Sequence, residues 1–312
     1  MGGAAHRARH SWKDHRRNEP IPPTLRATTA GGTRAMRSGE GMLRIVYANL
    51  GYSRDIDGSL KHHVRRAHHH VFTTRSVQLR SLGLVRERLR ELKPDLSCFA
   101  EIDKGSLNNG FFDQVGALAE SHHTTVRIDN KYGAGRHFRR LSVSRGKSNA
   151  FLASRPLTYT ARYLSSGKKR LVYDIEISGI RILMAHLSLR YHVRCLQMAE
   201  LSRWVREREG PTVVIGDFNL FRGVDELRPL LADGRLVHAN AHSGPTFRLG
   251  PYRAALDICL LSRDLQDRCK IAILDQPYSD HQMIQLDIDG VGEGGTRPLD
   301  APVLVAADAE AA

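Results

Sequence analysis

Nine short apolar runs, each about the length of a buried strand, are spaced along the chain with helical patterns between them, and no other feature restricts the fold as much. The runs cover residues 43–49, 95–101, 149–154, 171–177, 180–187, 212–217, 257–261, 270–274 and 283–288. One sheet of nine strands is unusually wide, so two sheets are expected. Helical spacing occurs at Leu79, Leu82, Val85, Leu89 and Leu92, closed by Pro94, and at Val193, Leu196, Leu201, Trp204 and Val205 before Gly210. Strands that alternate with helices place the chain in the α/β class. No repeat of fixed period is visible, which excludes solenoids and propellers.

The flanks read differently. Residues 1–41 are rich in Arg, His, Gly, Pro and Thr and lack hydrophobic periodicity, as expected of a disordered basic arm. Met36 and Met42 are alternative starts, and Asp14 and Glu19 argue against an organelle-targeting helix. From residue 290 the chain is rich in Ala, Gly and Asp and is expected to be a flexible tail, leaving one domain over 42–289. The arm holds eight basic and three acidic residues and the tail one basic and four acidic, so +12 of the net +14 belongs to the central domain. A positive domain favours polyanionic partners such as nucleic acid or anionic headgroups, without naming a reaction. The four cysteines, Cys98, Cys195, Cys259 and Cys269, form no Cys-x-x-Cys pair, against a zinc cage or a disulfide framework. No apolar run is long enough for a transmembrane helix or a secretory leader, so the default location is cytoplasmic. Nothing in the sequence points to a protein partner.

The chemistry lies where polar residues end these runs, because the ends of α/β strands are where functional groups gather. Asn49 ends the first run and Glu101 the second; His186 stands near the end of the fifth, and Gly216-Asp217-Phe218-Asn219 closes the sixth. Asp257 begins a run instead, and Asp280-His281 precedes the last. Taken singly, an aspartate after a strand is most often a turn former or helix cap, and His186 in an apolar strand is most often a satisfied core histidine. Their order along the chain is what carries information.

That order, Asn49, Glu101, Ala185-His186-Leu187, Gly216-Asp217-Phe218-Asn219, Leu256-Asp257 and Ser279-Asp280-His281, resembles the endonuclease/exonuclease/phosphatase superfamily across residues 43–289. Lys147-Ser148-Asn149-Ala150 before Phe151 resembles its Gly-Asn-Ala strand, and Thr246-Phe247 also fits. The resemblance implies a single-domain two-sheet α/β sandwich, DNase I-like, that hydrolyses phosphoesters with a divalent metal, Mg²⁺ or Mn²⁺. The residue types suit that chemistry. Asn49, Glu101 and Asp280 supply hard oxygen ligands for the metal. Asp217 would orient or deprotonate the attacking water, and Asn219 would hold a phosphate oxygen. His281 would bind the phosphate, kept cationic by Asp257, and His186 would stabilise developing charge or protonate the leaving oxygen. Lys147 and Asn149 are expected to touch substrate, with Arg145 a further phosphate contact.

Two departures stand out. The basic residue usual just before the late aspartate is replaced by Leu256, and residues 51–74, with Asp55, Asp57 and histidines at 62, 63, 68, 69 and 70, resemble no motif of the nuclease, sphingomyelinase or inositol-phosphatase branches. The histidine run is expected to be a solvated surface segment, although its position could bring it over the site with Arg65 and Arg66. The basic domain favours a nucleic-acid phosphodiester, cut by an endonuclease or exonuclease. Sphingolipid or inositol-phosphate substrates are the alternative within the same chemistry, and an inactive nucleic-acid-binding scaffold is the alternative outside it. A lipid-surface enzyme would need an exposed apolar loop; Phe111-Phe112 is the candidate, and it reads more readily as the start of a core helix.

Overall fold

The computed structural model describes residues 40–133 and 146–292. In chain order the strands are β1 (Glu40–Asn49), β2 (Leu96–Asp103), β3 (Thr125–Asn130), β4 (Lys147–Ala153), β5 (Thr158–Tyr163), β6 (Leu171–Ile177), β7 (Ile180–His186), β8 (Thr212–Asp217), β9 (Leu236–His238), β10 (Phe247–Leu249), β11 (Tyr252–Ala254), β12 (Asp257–Ser262), β13 (Cys269–Leu274) and β14 (Met283–Gly292). The helices are α1 (Leu60–Arg65), α2 (Arg75–Leu92), α3 (Gln114–Leu118), α4 (Tyr191–Arg206) and α5 (Arg228–Leu231). All nine expected runs are strands. The arm expected over 1–41 falls outside the described residues except for 40 and 41, which extend β1, and the expected tail does so beyond residue 292.

The strands form two six-stranded sheets, ordered β13-β14-β1-β2-β4-β3 and β5-β6-β7-β8-β12-β9, with β10 and β11 a separate hairpin. Each sheet is antiparallel except for one central parallel pair, β1 with β2 and β7 with β8. A parallel pair needs a long crossover, and α2 and α4 lie on those two connections. The sheets pack face to face. Leu43, Ile45 and Tyr47 of β1 share one core with Ile182 and Met184 of β7 and Val213 and Ile215 of β8. Alternate residues face outward, Val46 and Ala48 toward Leu82, Val85 and Leu89 of α2, and Leu183 and Val214 toward Met198, Leu201 and Trp204 of α4. Each such aliphatic side chain contributes roughly 1.5–3 kcal/mol by leaving water.

The helices bury more polarity than an apolar stripe suggests. In α2, Leu79 is exposed and Gln78 and Ser81 are buried beside Leu82; in α4, Leu196 is exposed and Arg194 and Gln197 are buried. Both buried amides have partners: Gln78 bonds the Thr73 and Asn109 carbonyls, and Gln197 bonds those of Ser166 and Lys169. Arg194 pairs with Glu226 at 2.6 Å. Phe111 departs from the expected core-helix start: it is 65% exposed at φ 60, and α3 begins only at Gln114. All four cysteines are free. Among the described residues no helix is long and apolar enough to cross a membrane.

Candidate active site

The inward-facing rows of the central strands all change from apolar to polar at one end of the sandwich. Ile45 and Tyr47 lead to Asn49, Ile182 and Met184 to His186, and Val213 and Ile215 to Asp217, while Asp257 precedes Cys259 and Leu261. Asn49, His186 and Asp217 thus lie at the carboxyl ends of parallel-pair strands. Register completes the group: His186 and Asp257 sit opposite Asp217 on its two neighbouring strands. Glu101 reaches the same end by a different device. The β2–β4 register shifts between Phe99 and Ile102, and Glu101 takes φ 50 within that irregularity. Regular alternation would put Glu101 on the outer face with Phe99; the bulge re-aims it.

The two sheets are tied together by these polar groups. Asn49 Nδ2 donates to Asp217 Oδ2 at 3.0 Å across the sandwich and lies 3.4 Å from His281 Nε2. His186 Nε2 is 3.3 Å from the same Asp217 oxygen, and the Asn219 backbone N–H donates to Asp217 Oδ1 at 3.0 Å. His281 Nδ1 is 2.8 Å from Asp257 Oδ2, and its ring lies 5.0 Å from that of Phe247. Asn219, at φ 53, uses one amide hydrogen on the Leu187 carbonyl. A cleft of about 200 Å³ opens on this group, lined by Asn49, Glu101, Asp217, Asn219, Asp280 and His281 among others. Six of the ten expected site residues therefore face one cleft. His186 and Asp257 stand behind it as partners of Asp217 and His281. Lys147 and Asn149 do not line it: Lys147 bonds Asn108 Oδ1 at 3.1 Å, and Asn149 is buried with its Oδ1 unpartnered. Arg145 is outside the described residues.

The sequence model of the endonuclease/exonuclease/phosphatase family matches residues 77–281. The chain belongs to this family. No curated protein is a significant sequence match. Among solved structures the family fold of this chain is similar to TDP2 from Caenorhabditis elegans, at 16% identity and TM-score 0.56, covering 80% of this chain and 74% of that one. It is also similar to an AP endonuclease from Archaeoglobus fulgidus, at 16% identity, TM-score 0.52 and 78% and 98% coverage. Beta toxin from Staphylococcus aureus is a third, at 14% identity, TM-score 0.52 and 78% and 99% coverage.

Several members of the cleft are unmarked by the family pattern. Lys169, on the loop between β5 and β6, places Nζ 3.6 Å from Glu101 Oε1 and in contact with His186 Nε2. Arg54, His63 and His70 also line the cleft. The histidine run is thus only partly a solvated segment: His69 is buried, with Nδ1 2.7 Å from the Arg54 carbonyl, and two neighbours face the site. His186 has its carboxylate neighbours in Asp217 and, at 3.9 Å, Glu101.

Charge distribution follows from these contacts. Burial pushes the Asp217 carboxyl up, but His186, His281 and Lys169 outweigh it and hold the group well below the usual carboxylate value. Glu101 is likewise brought down to about 2, with Lys169, His186, Lys131 and Arg54 overcoming burial. His281 is raised to about 10, because Asp257 beside it outweighs burial. Burial pushes Asp257 up to about 6 against the pull of His281. At neutral pH this is an ion pair. His186 is lowered by burial and then by Lys169, so it stands neutral.

Three acid or imidazole groups, Asp217, Asp257 and His281, bring donor atoms within 4.8 Å of one another, close enough to hold a metal. A protonated imidazole has no lone pair to give, and His281 is held protonated by Asp257, so this trio already contains its cation. Glu101, Asp280 and the Asn49 amide oxygen, all on the cleft wall, are hard oxygen donors of the kind that could hold a dication. Burial, with Glu101 nearby, raises Asp280, a like-charge strain that a cation relieves. These residues fit a Mg²⁺-type ion, provided Lys169 turns away from Glu101.

Proposed function

We propose that the chain is a divalent-metal-dependent phosphoester hydrolase and that its favoured substrate is a nucleic-acid phosphodiester. The observation that carries this reading is Asp217, a buried ionised carboxylate anchored from both sheets at the floor of a cleft. Its two oxygens have about four lone-pair sites in all. Asn49 donates to Oδ2, beside which His186 Nε2 lies at 3.3 Å, and the Asn219 N–H donates to Oδ1, which leaves a site on Oδ1 for a water. Held as a strong acid's anion, Asp217 is a better orienter of that water than a base for it, and His186 behind it fixes its direction. His281, kept cationic by Asp257, faces the cleft as the phosphate-binding charge opposite the attacking water, and Asn219 retains one amide hydrogen for a phosphate oxygen. Glu101, Asp280 and Asn49 would hold the metal, which when bound supplies neutralisation of phosphate charge. Buried at 2% exposure, His186 suits positioning of Asp217 rather than protonation of a leaving group.

The domain's positive charge supports nucleic acid as the substrate. A second reading, a phosphoester presented at a lipid surface, draws on Phe72 and Phe111, which are exposed and flank Arg75 in a pocket of about 710 Å³. The deciding experiment is hydrolysis by the full chain of plasmid DNA, single-stranded DNA, RNA, sphingomyelin vesicles and an inositol polyphosphate, with Mg²⁺, Mn²⁺ or EDTA. Metal-dependent cleavage of nucleic acid, reduced by about 10²–10⁴-fold in Asp217→Ala, is expected. Cleavage of sphingomyelin vesicles alone selects the second reading, and cleavage of the inositol polyphosphate alone assigns a soluble small phosphoester instead. No turnover of any substrate, with no metal bound, leaves the inactive scaffold.

A further inference from the structure

Immediately after Asn49 the backbone is left-handed at Gly51, Tyr52, Ser53 and Asp55, with φ of 51, 57, 54 and 59. Such conformations are costly for non-glycine residues and persist where surrounding contacts impose them. Here the Gly51 N–H donates to Asn49 Oδ1, Gln114 Nε2 donates to the Tyr52 carbonyl, and Arg66 pairs with Asp55 at 2.9 Å. The effect is to set the Tyr52 ring beside the cleft, where three cations gather on it. Arg54 Cζ, Lys131 Nζ and Lys147 Nζ lie 4.9, 5.2 and 5.3 Å from its centroid, and Lys131 donates to its hydroxyl at 2.7 Å.

This is not a solvated basic face. Lys131 is 7% exposed, and burial brings its ammonium down to about 7, with Glu101 the charge that most opposes the fall although the two form no ion pair. Among the described residues no carboxylate lies within ion-pair distance of Arg54, Lys131 or Lys147. The nearest acids are committed elsewhere: Glu101 to Lys169, and Asp103 to the Gly105 and Ser106 N–H groups and the Ser106 hydroxyl. The cations also work against one another: after burial the charge of Arg54 lowers Lys147 most, and Lys169 and Lys147 lower Lys131, while Glu101 and Asp103 offset this only in part. An anion entering among them relieves that repulsion. Because Arg54 lines the cleft that holds Asp217 and His281, an anion there sits beside the reacting phosphate.

We propose that Arg54, Lys131 and Lys147, gathered on Tyr52, form a subsite for a second phosphate group of the substrate, so that the preferred substrates carry a phosphate next to the one cleaved. The proposal rests on the hydrolase reading above and names the substrate class within it. It is tested first without turnover. Calorimetry of the full chain in EDTA measures binding of inorganic phosphate and of pyrophosphate; pyrophosphate is expected to bind at least about tenfold more tightly, the worth of one charge-assisted contact. Arg54→Gln with Lys147→Gln removes that preference, and Arg54→Lys retains it. Steady-state kinetics then compare a dinucleotide having one phosphate with its 5′-phosphorylated form, and inositol monophosphate with inositol bisphosphate. A lower KM for the two-phosphate member of either pair, abolished in the double variant, supports the subsite and says whether its phosphate is nucleotide or inositol borne. Equal affinities for the two ions in the native chain, or a preference untouched by the double substitution, overturn it. A preference found without turnover of any substrate keeps the subsite and removes the hydrolase reading, whereas turnover without the preference does the reverse.

Discussion

Lys169 stands beside Glu101, where the proposed dication would sit. Its ammonium is 3.6 Å from Glu101 Oε1, and its backbone carbonyl is clamped by Gln197 at 2.7 Å. Metal binding at Glu101 therefore competes with a tethered cation. Lys169→Met is expected to bind Mn²⁺ more tightly than the native chain, by roughly the tenfold that about 1.4 kcal/mol of removed competition represents. Isothermal calorimetry with Mn²⁺ checks this, and weaker or unchanged affinity would refute the competition. His281 pairs with Asp257 at 2.8 Å. Its folded pKa, about 10, lies above the ordinary histidine value, so its raised proton affinity contributes stability that is full below about pH 6.5 and lost as pH rises through about 10, while the ion pair with Asp257 itself spans about pH 6 to 10. Between about pH 7 and 9 its ring protons should not titrate by NMR; in Asp257→Asn, with the carboxylate gone, they should titrate in or below that window. Lys169 and His281 also mark how far residue types alone could be read. His186, Asp217, Asp257 and His281 were legible because each stands at or just beside the end of an apolar run, in family order. Lys169, Arg54 and Lys131 were not, because a basic residue in a loop has the same local signature whether it faces solvent or a buried glutamate.

At the scale of elements, two glycines test what the strands and helices require. Gly216 precedes Asp217, and a Cβ there would lie 1.8 Å from the Ala185 carbonyl oxygen on β7. Gly216→Ala must force apart the parallel pair that presents His186 and Asp217, so it should destabilise by at least the 1–3 kcal/mol typical of overpacking, read by urea denaturation, with a disproportionate loss of activity. Gly83, in the middle of α2, has open space where its Cβ would go. Gly83→Ala should stabilise by up to about 1 kcal/mol without touching activity. The long strands were evident from their apolar runs. β3, β5 and the short β9 to β11 were not, because they are half-exposed edge or hairpin strands whose polar residues mask the period. Of the five helices α2 and α4 were found, but their buried faces were misjudged at Leu79 and Leu196, since Gln78, Gln197 and Arg194 are buried through hydrogen bonds that periodicity does not register. The Glu101 bulge was equally invisible: it depends on how β2 meets β4, a pairing of segments about fifty residues apart.

At the scale of the whole molecule, the net charge of +14 sets a long-range field that no single contact describes. A field of that sign raises the local concentration of a polyanion and does so less as salt screens it. If the substrate is nucleic acid, kcat/KM for a duplex or single-stranded oligonucleotide should fall steeply between low and physiological salt, with a log–log slope of about −0.7 to −0.9 for each phosphate neutralised. Removing Arg54 and Lys147 together should make that slope shallower by about two, because each cation that meets a phosphate contributes about one. A small monoanionic diester hydrolysed in the same cleft meets the same catalytic residues but a much weaker field effect, so its slope should be near zero. The two slopes separate the chemistry of the cleft from the reach of the surface. Parallel slopes for both substrates would mean that the positive surface serves something other than the nucleic acid, and would move the substrate toward the lipid-surface reading, where Phe72, Phe111 and Arg75 make the contact.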